Sequence, residues 1–240
     1  MPEPLQAGLW GALAASALVL GAAATIARPL PRRMVALIMA FGAGALVSAL
    51  AFDLAEEAFR VGGTFVFALG LAIGALVYYA GARLIDSRRR AARGPDAQAG
   101  GPAIVLGALL DGVPESLVLG ATLVGGAGVS PSFFAAVLIS NLPEGLAGTR
   151  DLADEGVSRR WILGLWIGVA VASGLAAGLG NAASSSMDSV VLAGAQSFAA
   201  GAILTMLADT MFPEAFESGG DLVGLATALG FATAFLLARA

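Results

Sequence analysis

Two short segments carry the side chains best suited to chemistry. LLDGVPESLVLG occupies residues 109–120 and LISNLPEGLAGT occupies residues 138–149, and each places a Pro-Glu-x-Leu sequence inside an apolar stretch. Asp111 and Glu115 are four residues apart and share one face of a helix, as do Ser140 and Glu144. Asn141 lies beside the second pair. A charged residue at the centre of a membrane helix costs at least about 2.5 kcal/mol, so these residues predict a functional site.

The chemistry expected of this site is cation binding. If the two segments are antiparallel around a turn near 125–130, Asp111 lies level with Glu144, and Glu115 lies level with Ser140. Pro114 and Pro143 cannot donate to the preceding turn, which frees two carbonyl oxygens. Such oxygens are tolerated at membrane depth where they line a cavity. The alternative is a proline-kinked helix pair whose acids cap neighbouring backbone groups. The predicted metal ligands are Asp111, Glu115, Ser140, Asn141 and Glu144.

The composition identifies the setting in which these segments work. Among 240 residues 58% are hydrophobic and only 12% are charged, and the mean hydropathy is +0.86. Soluble domains carry about 25% charged residues. The chain has no Cys, no His and no Lys, which removes thiolate and imidazole chemistry. These features exclude an ordinary soluble enzyme, a disordered protein and a nucleic-acid partner. They predict an integral membrane protein with the lipid bilayer as partner and no prosthetic group.

Apolar stretches of about 20 residues predict the membrane spans, because the hydrocarbon layer is about 30 Å thick. The Ala- and Gly-rich composition and the absence of a ten-residue alternation favour helices over a barrel. The fold class is therefore all-α, with residues 1–240 forming a single transmembrane domain. The eight predicted spans are 5–27, 34–58, 61–84, 102–125, 130–149, 161–182, 189–212 and 221–238.

The arginines predict the orientation of the spans. Eleven of the thirteen lie in the loops after spans 1, 3 and 5, which share one side of the membrane. By the positive-inside rule this side is cytoplasmic, and both termini lie outside. The segment 87–101, SRRRAARGPDAQAGG, is predicted to be a flexible cytoplasmic linker between spans 3 and 4. Its arginines are interpreted as a topology anchor rather than as a lipid-binding site.

Two stretches of the chain are similar to each other. Residues 41–60 read FGAGALVSALAFDLAEEAFR and residues 198–217 read FAAGAILTMLADTMFPEAFE, with nine of twenty positions identical. The first copy runs outward and the second runs inward. This arrangement predicts an inverted repeat that relates spans 1–3 to spans 6–8, as in many secondary transporters. The alternative is chance similarity between two Ala- and Gly-rich helices.

Other acidic residues and small residues predict secondary features. Asp53, Asp209 and Glu214 are candidates for attracting cations at the two mouths of a pathway. The alternative, interfacial acids at helix ends, applies to Asp53 and Glu214. Glycines spaced four apart would let helices approach closely. These pairs are Gly70/Gly74, Gly164/Gly168 and Gly174/Gly178.

The eight spans, the outward termini, and D-G-x-P-E-S followed by S-N-L-P-E-G-L resemble the ZIP family of divalent-metal transporters. The resemblance covers nearly the whole chain. It implies that Glu115 and Glu144 match the glutamates of the family motifs. Asp111 stands where the family usually has His, and Ser140 stands at a His or Gln position. The resulting all-oxygen site suits Mn²⁺, Mg²⁺ or Ca²⁺, although Zn²⁺ also binds carboxylates.

The expected function is therefore transport of a divalent cation such as Zn²⁺, Mn²⁺ or Fe²⁺, with the metal as cargo and no catalysed reaction. One alternative is a ZIP-like protein that binds a metal or a partner without transporting. An intramembrane hydrolase is a weaker alternative, since no nucleophile accompanies the acids. A homodimer is one expected assembly. Brevity and the resemblance together suggest the plasma membrane of a bacterium.

Overall fold

The computed structural model describes residues 1–93, 101–123 and 130–239. Within these ranges the side chains at positions 86, 88–93, 101–106, 110 and 111 are outside the description. The described chain is almost entirely helical. Its helices are α1 Glu3–Ala27, α2 Arg32–Ala49, α3 Glu56–Arg93, α4 Gly101–Ala121, α5 Pro131–Asp154, α6 Arg159–Ser184, α7 Ser189–Met206, α8 Phe212–Gly219 and α9 Val223–Leu237.

Four helical stretches in the described chain are long and apolar enough to cross a membrane. They are Glu3–Ala27, Arg32–Ile85, Arg159–Ser184 and Ser189–Leu237. Large apolar side chains such as Leu20, Leu179 and Leu229 are more than 60% exposed, whereas much of the core consists of alanine. Small residues inside and leucine outside are typical of helices packed in lipid, where close backbone contact drives association. The chain is therefore a helical membrane protein.

The two longest stretches each contain a π-helical segment followed by a glycine break. The π segments are Leu50–Ala55 and Leu207–Met211, and each starts at the tenth residue of its copy in the similar stretches 41–60 and 198–217. Gly63 and Gly220 follow them with φ of 69° and 65°. Glycine adopts this left-handed backbone without a Cβ clash, so each stretch changes direction at its glycine.

The helices form two groups. In the α1 group, α1 packs on α4, α5 and α6, and α4 packs on α6. In the α2 group, α2 packs on α8 and α9, while α3 packs on α7. The groups meet chiefly where α2 faces α5, with further contacts from α4 to α3 and α7.

Side-chain hydrogen bonds link the helices of the α1 group. The Oγ1 atom of Thr25 on α1 donates to the carbonyl of Leu146 on α5 at 3.1 Å. Trp166 on α6 donates through Nε1 to Thr149 Oγ1 on α5 at 2.8 Å. Asn181 on α6 donates to the carbonyl of Gly120 on α4 at 3.2 Å. Each bond satisfies a polar side chain away from water, and bonds of this kind average about 0.6 kcal/mol in membrane proteins.

Glycine contacts bring helix backbones together in the α2 group. A Cβ on Gly44 of α2 would overlap the Thr227 carbonyl of α9, and a Cβ on Gly230 of α9 would overlap the carbonyl of Phe41 on α2. The same reciprocal arrangement joins α3 to α7. There, Gly201 faces the carbonyl of Leu71, and Gly74 faces that of Phe198.

The predicted glycine pairs behave differently from one another. Gly70 and Gly74 contact α7, and Gly174 and Gly178 contact α1, as expected for close helix packing. Around Gly164 and Gly168, in contrast, a Cβ would meet no atom of the described residues within 4 Å. For that pair, close packing is not found among the described residues, because spacing alone does not tell which face of a helix has a neighbour.

Two arginine-bearing loops lie together at one end of the molecule. The Arg150 guanidinium at the end of α5 donates through Nη1 to the Leu30 carbonyl, between α1 and α2, at 3.1 Å. We call this the arginine-rich end; it includes Arg28, Arg32, Arg33, Arg150, Arg159 and Arg160. Helix α3 continues through Arg93, so residues 87–93 of the predicted linker are helical, and residues 94–100 lie outside the described chain.

Candidate metal site in helices α4 and α5

The acidic residue best placed for a buried site is Glu115. It lies in α4 directly after Pro114 and is 1% exposed, and its neighbour Ser116 is 3% exposed. The helix continues through Pro114, which lacks the N–H that would bond to the carbonyl four residues earlier. The α4 motif therefore combines a buried carboxyl group with a carbonyl that has lost its helical donor. The backbone of Asp111 belongs to α4, but its side chain lies outside the described residues.

Helix α5 supplies the other three predicted ligands. Ser140 is fully buried and donates from Oγ to the Val137 carbonyl at 3.0 Å, which leaves its oxygen lone pairs for other donors or a cation. Asn141 is also buried, and its Nδ2 atom donates to the Ala14 carbonyl of α1 at 3.3 Å. Glu144 is half-buried after Pro143. Asn141 thus contributes to helix packing, a role that the motif did not indicate.

Helices α4 and α5 are in contact. No group of three or more Asp and Glu side chains is close enough to hold a metal within the described part of the chain. Since that part omits the Asp111 side chain, the predicted pairing of Asp111 with Glu144 stays a prediction, as does the pairing of Glu115 with Ser140.

A cavity of about 230 Å³ opens between α1, α2, α5 and α8 at the arginine-rich end. Met39 of α2 and Ala147 of α5 are among its lining residues. Ala147 follows Glu144 by three residues, which is a rise of about 4.5 Å along a helix. The cavity therefore approaches the α5 motif to within one helical turn.

Charged residues of both signs line the mouth of this cavity. They are Arg32, Arg150, Asp151, Glu214 and Glu217. Glu214, predicted from its sequence position to lie at a mouth, is one of them. Asp151 lies beyond the fifth predicted span, and its pKa is raised by partial burial and by the neighbouring charge of Asp154, while Arg32 opposes the shift.

The other two secondary candidates occupy different surroundings. Asp53, in the π segment after α2, accepts hydrogen bonds from Ser130 and Ser132 at the start of α5. Asp209, in the π segment after α7, is exposed and makes no hydrogen bond to another described side chain. The structure thus brings Asp53, but not Asp209, into a polar cluster.

Sequence reasoning missed one hydroxyl beside the α4 motif. Ser173 of α6 is 1% exposed, and its Oγ atom would lie 3.5 Å from a Cβ placed on Gly112. A lone serine in a small-residue helix gives no sequence signal of its own. Its place opposite Gly112 follows only from the packing of α6 on α4.

A comparison with models of protein families and with curated proteins found no match to this chain.

Proposed function

We propose that this protein transports divalent metal cations across a membrane through an oxygen-lined site on α4 and α5. The observation that carries the proposal is the burial of Glu115 together with the proximity of Glu144 to a cavity. Glu115 is almost wholly buried in an apolar helix, and Glu144 lies within one turn of a cavity that opens at the arginine-rich end. Ionisable residues inside membrane-spanning segments are rare and mark substrate or ion pathways.

The repeated backbone features support an inverted repeat of spans 1–3 and 6–8. The π segments begin at equivalent positions, positive-φ glycines follow both, and the α2–α9 contacts correspond to the α7–α3 contacts. A similarity confined to small-residue composition would not reproduce a π segment and a left-handed glycine in both copies. Repeats of this kind build transporters whose substrate site lies at the repeat interface. We therefore retain eight membrane spans, with α4 and α5 as the central pair.

The two helix groups suggest how the ion would move. Around Ser140, a Cβ on Gly42 of α2 would lie only 3.0 Å from the Ser140 Cα, so the α1 and α2 groups are in close contact there. Nearer the arginine-rich end the cavity separates the same two helices. Movement of one group relative to the other would change which end of this interface is open. This is the alternating access expected of a transporter.

The site chemistry favours hard cations. All proposed ligands are oxygen atoms of Asp111, Glu115, Ser140, Asn141 and Glu144, and the chain has no imidazole or thiolate. Mn²⁺, Mg²⁺ and Ca²⁺ prefer such ligands, and Zn²⁺ accepts them. The resemblance of the α4 and α5 motifs to those of ZIP transporters agrees with this ion class.

We assign the arginine-rich end to the cytoplasm, following the positive-inside rule. Both termini then lie outside, and the cavity beside Arg32 and Arg150 faces inward. In this orientation the acids Asp151, Glu214 and Glu217 would meet the ion at its exit. The plasma membrane of a bacterium is the location we propose.

The test is metal uptake into liposomes that contain the purified protein and a trapped metal indicator. We expect saturable uptake by the native chain. In Glu115→Gln and in Glu144→Gln, uptake should fall by at least about tenfold, since even residues that only orient metal ligands cost 10–100-fold when replaced. Asp221→Asn, which neutralises an exposed acid between α8 and α9, is the matched control and should transport normally.

Two results would contradict the proposal. Absence of uptake for Mn²⁺, Mg²⁺, Zn²⁺, Cd²⁺ and Fe²⁺ by protein that is folded would exclude transport of these ions. Undiminished uptake by both glutamine variants would show that the ion takes a path that avoids the α4 and α5 motifs.

A further inference from the structure

The interface between α2 and α5 differs along its length. At the arginine-rich end, Met39 of α2 and Ala147 of α5 both line the cavity. In the middle, Gly42 and Ser140 bring the two backbones together. The far end is where the π segment after α2 meets the start of α5 through Asp53. The two helices are thus open to water at one end and joined at the other.

The contact at the far end is made by one carboxylate and two hydroxyl groups. Ser130 donates from Oγ to Asp53 Oδ2 at 3.1 Å, and Ser132 donates to the same oxygen. Ser132 is 2% exposed, and Asp53 is half-buried. Ser130 also caps α5 by accepting a hydrogen bond from the Phe133 N–H at 3.2 Å. The negative charge of Asp53 therefore lies at the positive end of the α5 dipole, where it stabilises the contact.

The π segment contributes to this geometry. A π turn inserts one extra residue into a helix, and such turns occur frequently at functional sites. Asp53 is the fourth residue of the segment Leu50–Ala55. At the corresponding place in the second copy stands Thr210, which has no carboxylate. The charged contact therefore belongs to one copy of the repeat only.

We propose that Asp53, Ser130 and Ser132 form a latch that holds the end of the α2–α5 interface opposite the arginines closed. The latch is a positioning device: it touches neither the proposed ligands nor the ion. This inference rests on the proposed transport function, in which a cation arriving from the opposite end passes between α2 and α5 to reach Ser140. Release of the latch would let the two helices part at that end.

The test uses the absence of native cysteine, which makes any introduced thiol unique. Val137, one turn before Ser140 and 2% exposed, is replaced in Val137→Cys, and the protein is placed in lipid nanodiscs. The rate of reaction with a water-soluble maleimide then reports opening of the far end. We expect Ser132→Ala to accelerate this reaction roughly tenfold, the size of effect expected for one hydrogen bond to a charged group. Asp53→Ala removes both hydrogen bonds and should accelerate the reaction more.

Glu57→Ala is the matched control, because it removes a neighbouring carboxylate that pairs with Arg60 outside the latch. Its labelling rate should equal that of the Val137→Cys parent. Ala147→Cys, which places a thiol in the open cavity, should react quickly in every background. If Asp53→Ala fails to fold, as judged by gel filtration, Ser132→Ala decides the question.

Unchanged labelling at position 137 in the folded latch variants would overturn the proposal, as would equal acceleration by Glu57→Ala. The labelling rate needs no metal. If the protein takes up no ion, the proposed transport function is excluded, but the labelling rates still test the latch. Conversely, normal uptake with unchanged labelling would remove the latch alone.

Discussion

Asn141 shows that one side chain of the candidate site also holds two helices together. Its amide nitrogen donates to the carbonyl of Ala14, so the residue joins α5 to α1. The motif S-N-L-P-E-G-L identified Asn141 as a ligand candidate only. Both roles are compatible, because the amide offers an oxygen in addition to the nitrogen that contacts α1.

At the residue scale, Asn141→Ala should lower stability even without metal. The substitution removes an inter-helix hydrogen bond, while the Ala14 carbonyl stays within α1, so the free energy of unfolding should fall by about 0.6 kcal/mol and by no more than about 1.7 kcal/mol. Unfolding in mixed micelles of mild detergent and dodecyl sulfate would measure the change. Ser116→Ala, at a buried residue of α4 for which no such inter-helix bond is found in the described chain, is the control and should change less. Equal losses would contradict the structural role of the amide.

Asp151 predicts a pH dependence of stability. Its folded pKa is raised, first by partial burial and then by Asp154, so ionisation of this group opposes folding. Because the folded pKa lies above the unfolded pKa, the folded state is favoured at pH values below the unfolded pKa. This advantage is lost as the pH rises through the folded pKa. Asp151→Asn should therefore raise the melting temperature at pH 7.5, with little difference at pH 3. A gain that is the same at both pH values would exclude this cause.

At the element scale, glycine contacts set how closely the helices pack. A Cβ on Gly145 of α5 would overlap the carbonyl of Leu18 on α1, so this contact is between two backbones. A backbone cannot rotate away as a side chain can. The α1–α5 packing therefore depends on a residue smaller than alanine at this position.

Gly145→Ala should consequently lower the free energy of unfolding by about 1–3 kcal/mol, the usual cost of overpacking. Gly164→Ala is the matched control in α6, where a Cβ meets no described atom within 4 Å. It should be neutral or stabilising, because alanine favours helices over glycine by up to about 1 kcal/mol. Destabilisation of equal size in both variants would contradict the role of the Leu18 contact, because helix propensity favours alanine at both positions.

At the scale of the whole molecule, two helix groups meet along α2 and α5, and a cavity opens between them at the arginine-rich end. A membrane protein with such an arrangement can expose a central site to one side at a time. The ions that the proposed transporter would carry depend on the oxygen ligands of its site.

The oxygen ligands predict an order of ion preference. In uptake competition, Mn²⁺ should inhibit at lower concentration than Cd²⁺, since Cd²⁺ is the softer ion and favours sulfur and nitrogen ligands. Introducing imidazole through Asp111→His should move the preference toward Zn²⁺ and Cd²⁺, whereas Asp221→His, outside the site, should leave it unchanged. A preference for Cd²⁺ in the native chain would contradict the all-oxygen site.

The sequence alone determined that this is a helical membrane protein, because so much apolar sequence is stable only in lipid. It also identified the two Pro-Glu motifs, since a carboxylate amid apolar residues is visible in any local window. The similarity of 41–60 to 198–217 predicted an inverted repeat, but it did not indicate that either copy would contain a π turn.

Only the tertiary structure decided which polar groups meet across helices. The contact of Asp53 with Ser130 and Ser132 joins residues more than seventy positions apart, and Ser173 faces Gly112 across α4 and α6. The packing also determines which glycines contact a neighbouring helix. Gly145 packs on the Leu18 backbone, whereas a Cβ on Gly164 would meet no described atom within 4 Å. The physical reason is that spacing along one helix defines a face, whereas the neighbour of that face depends on how all the helices assemble.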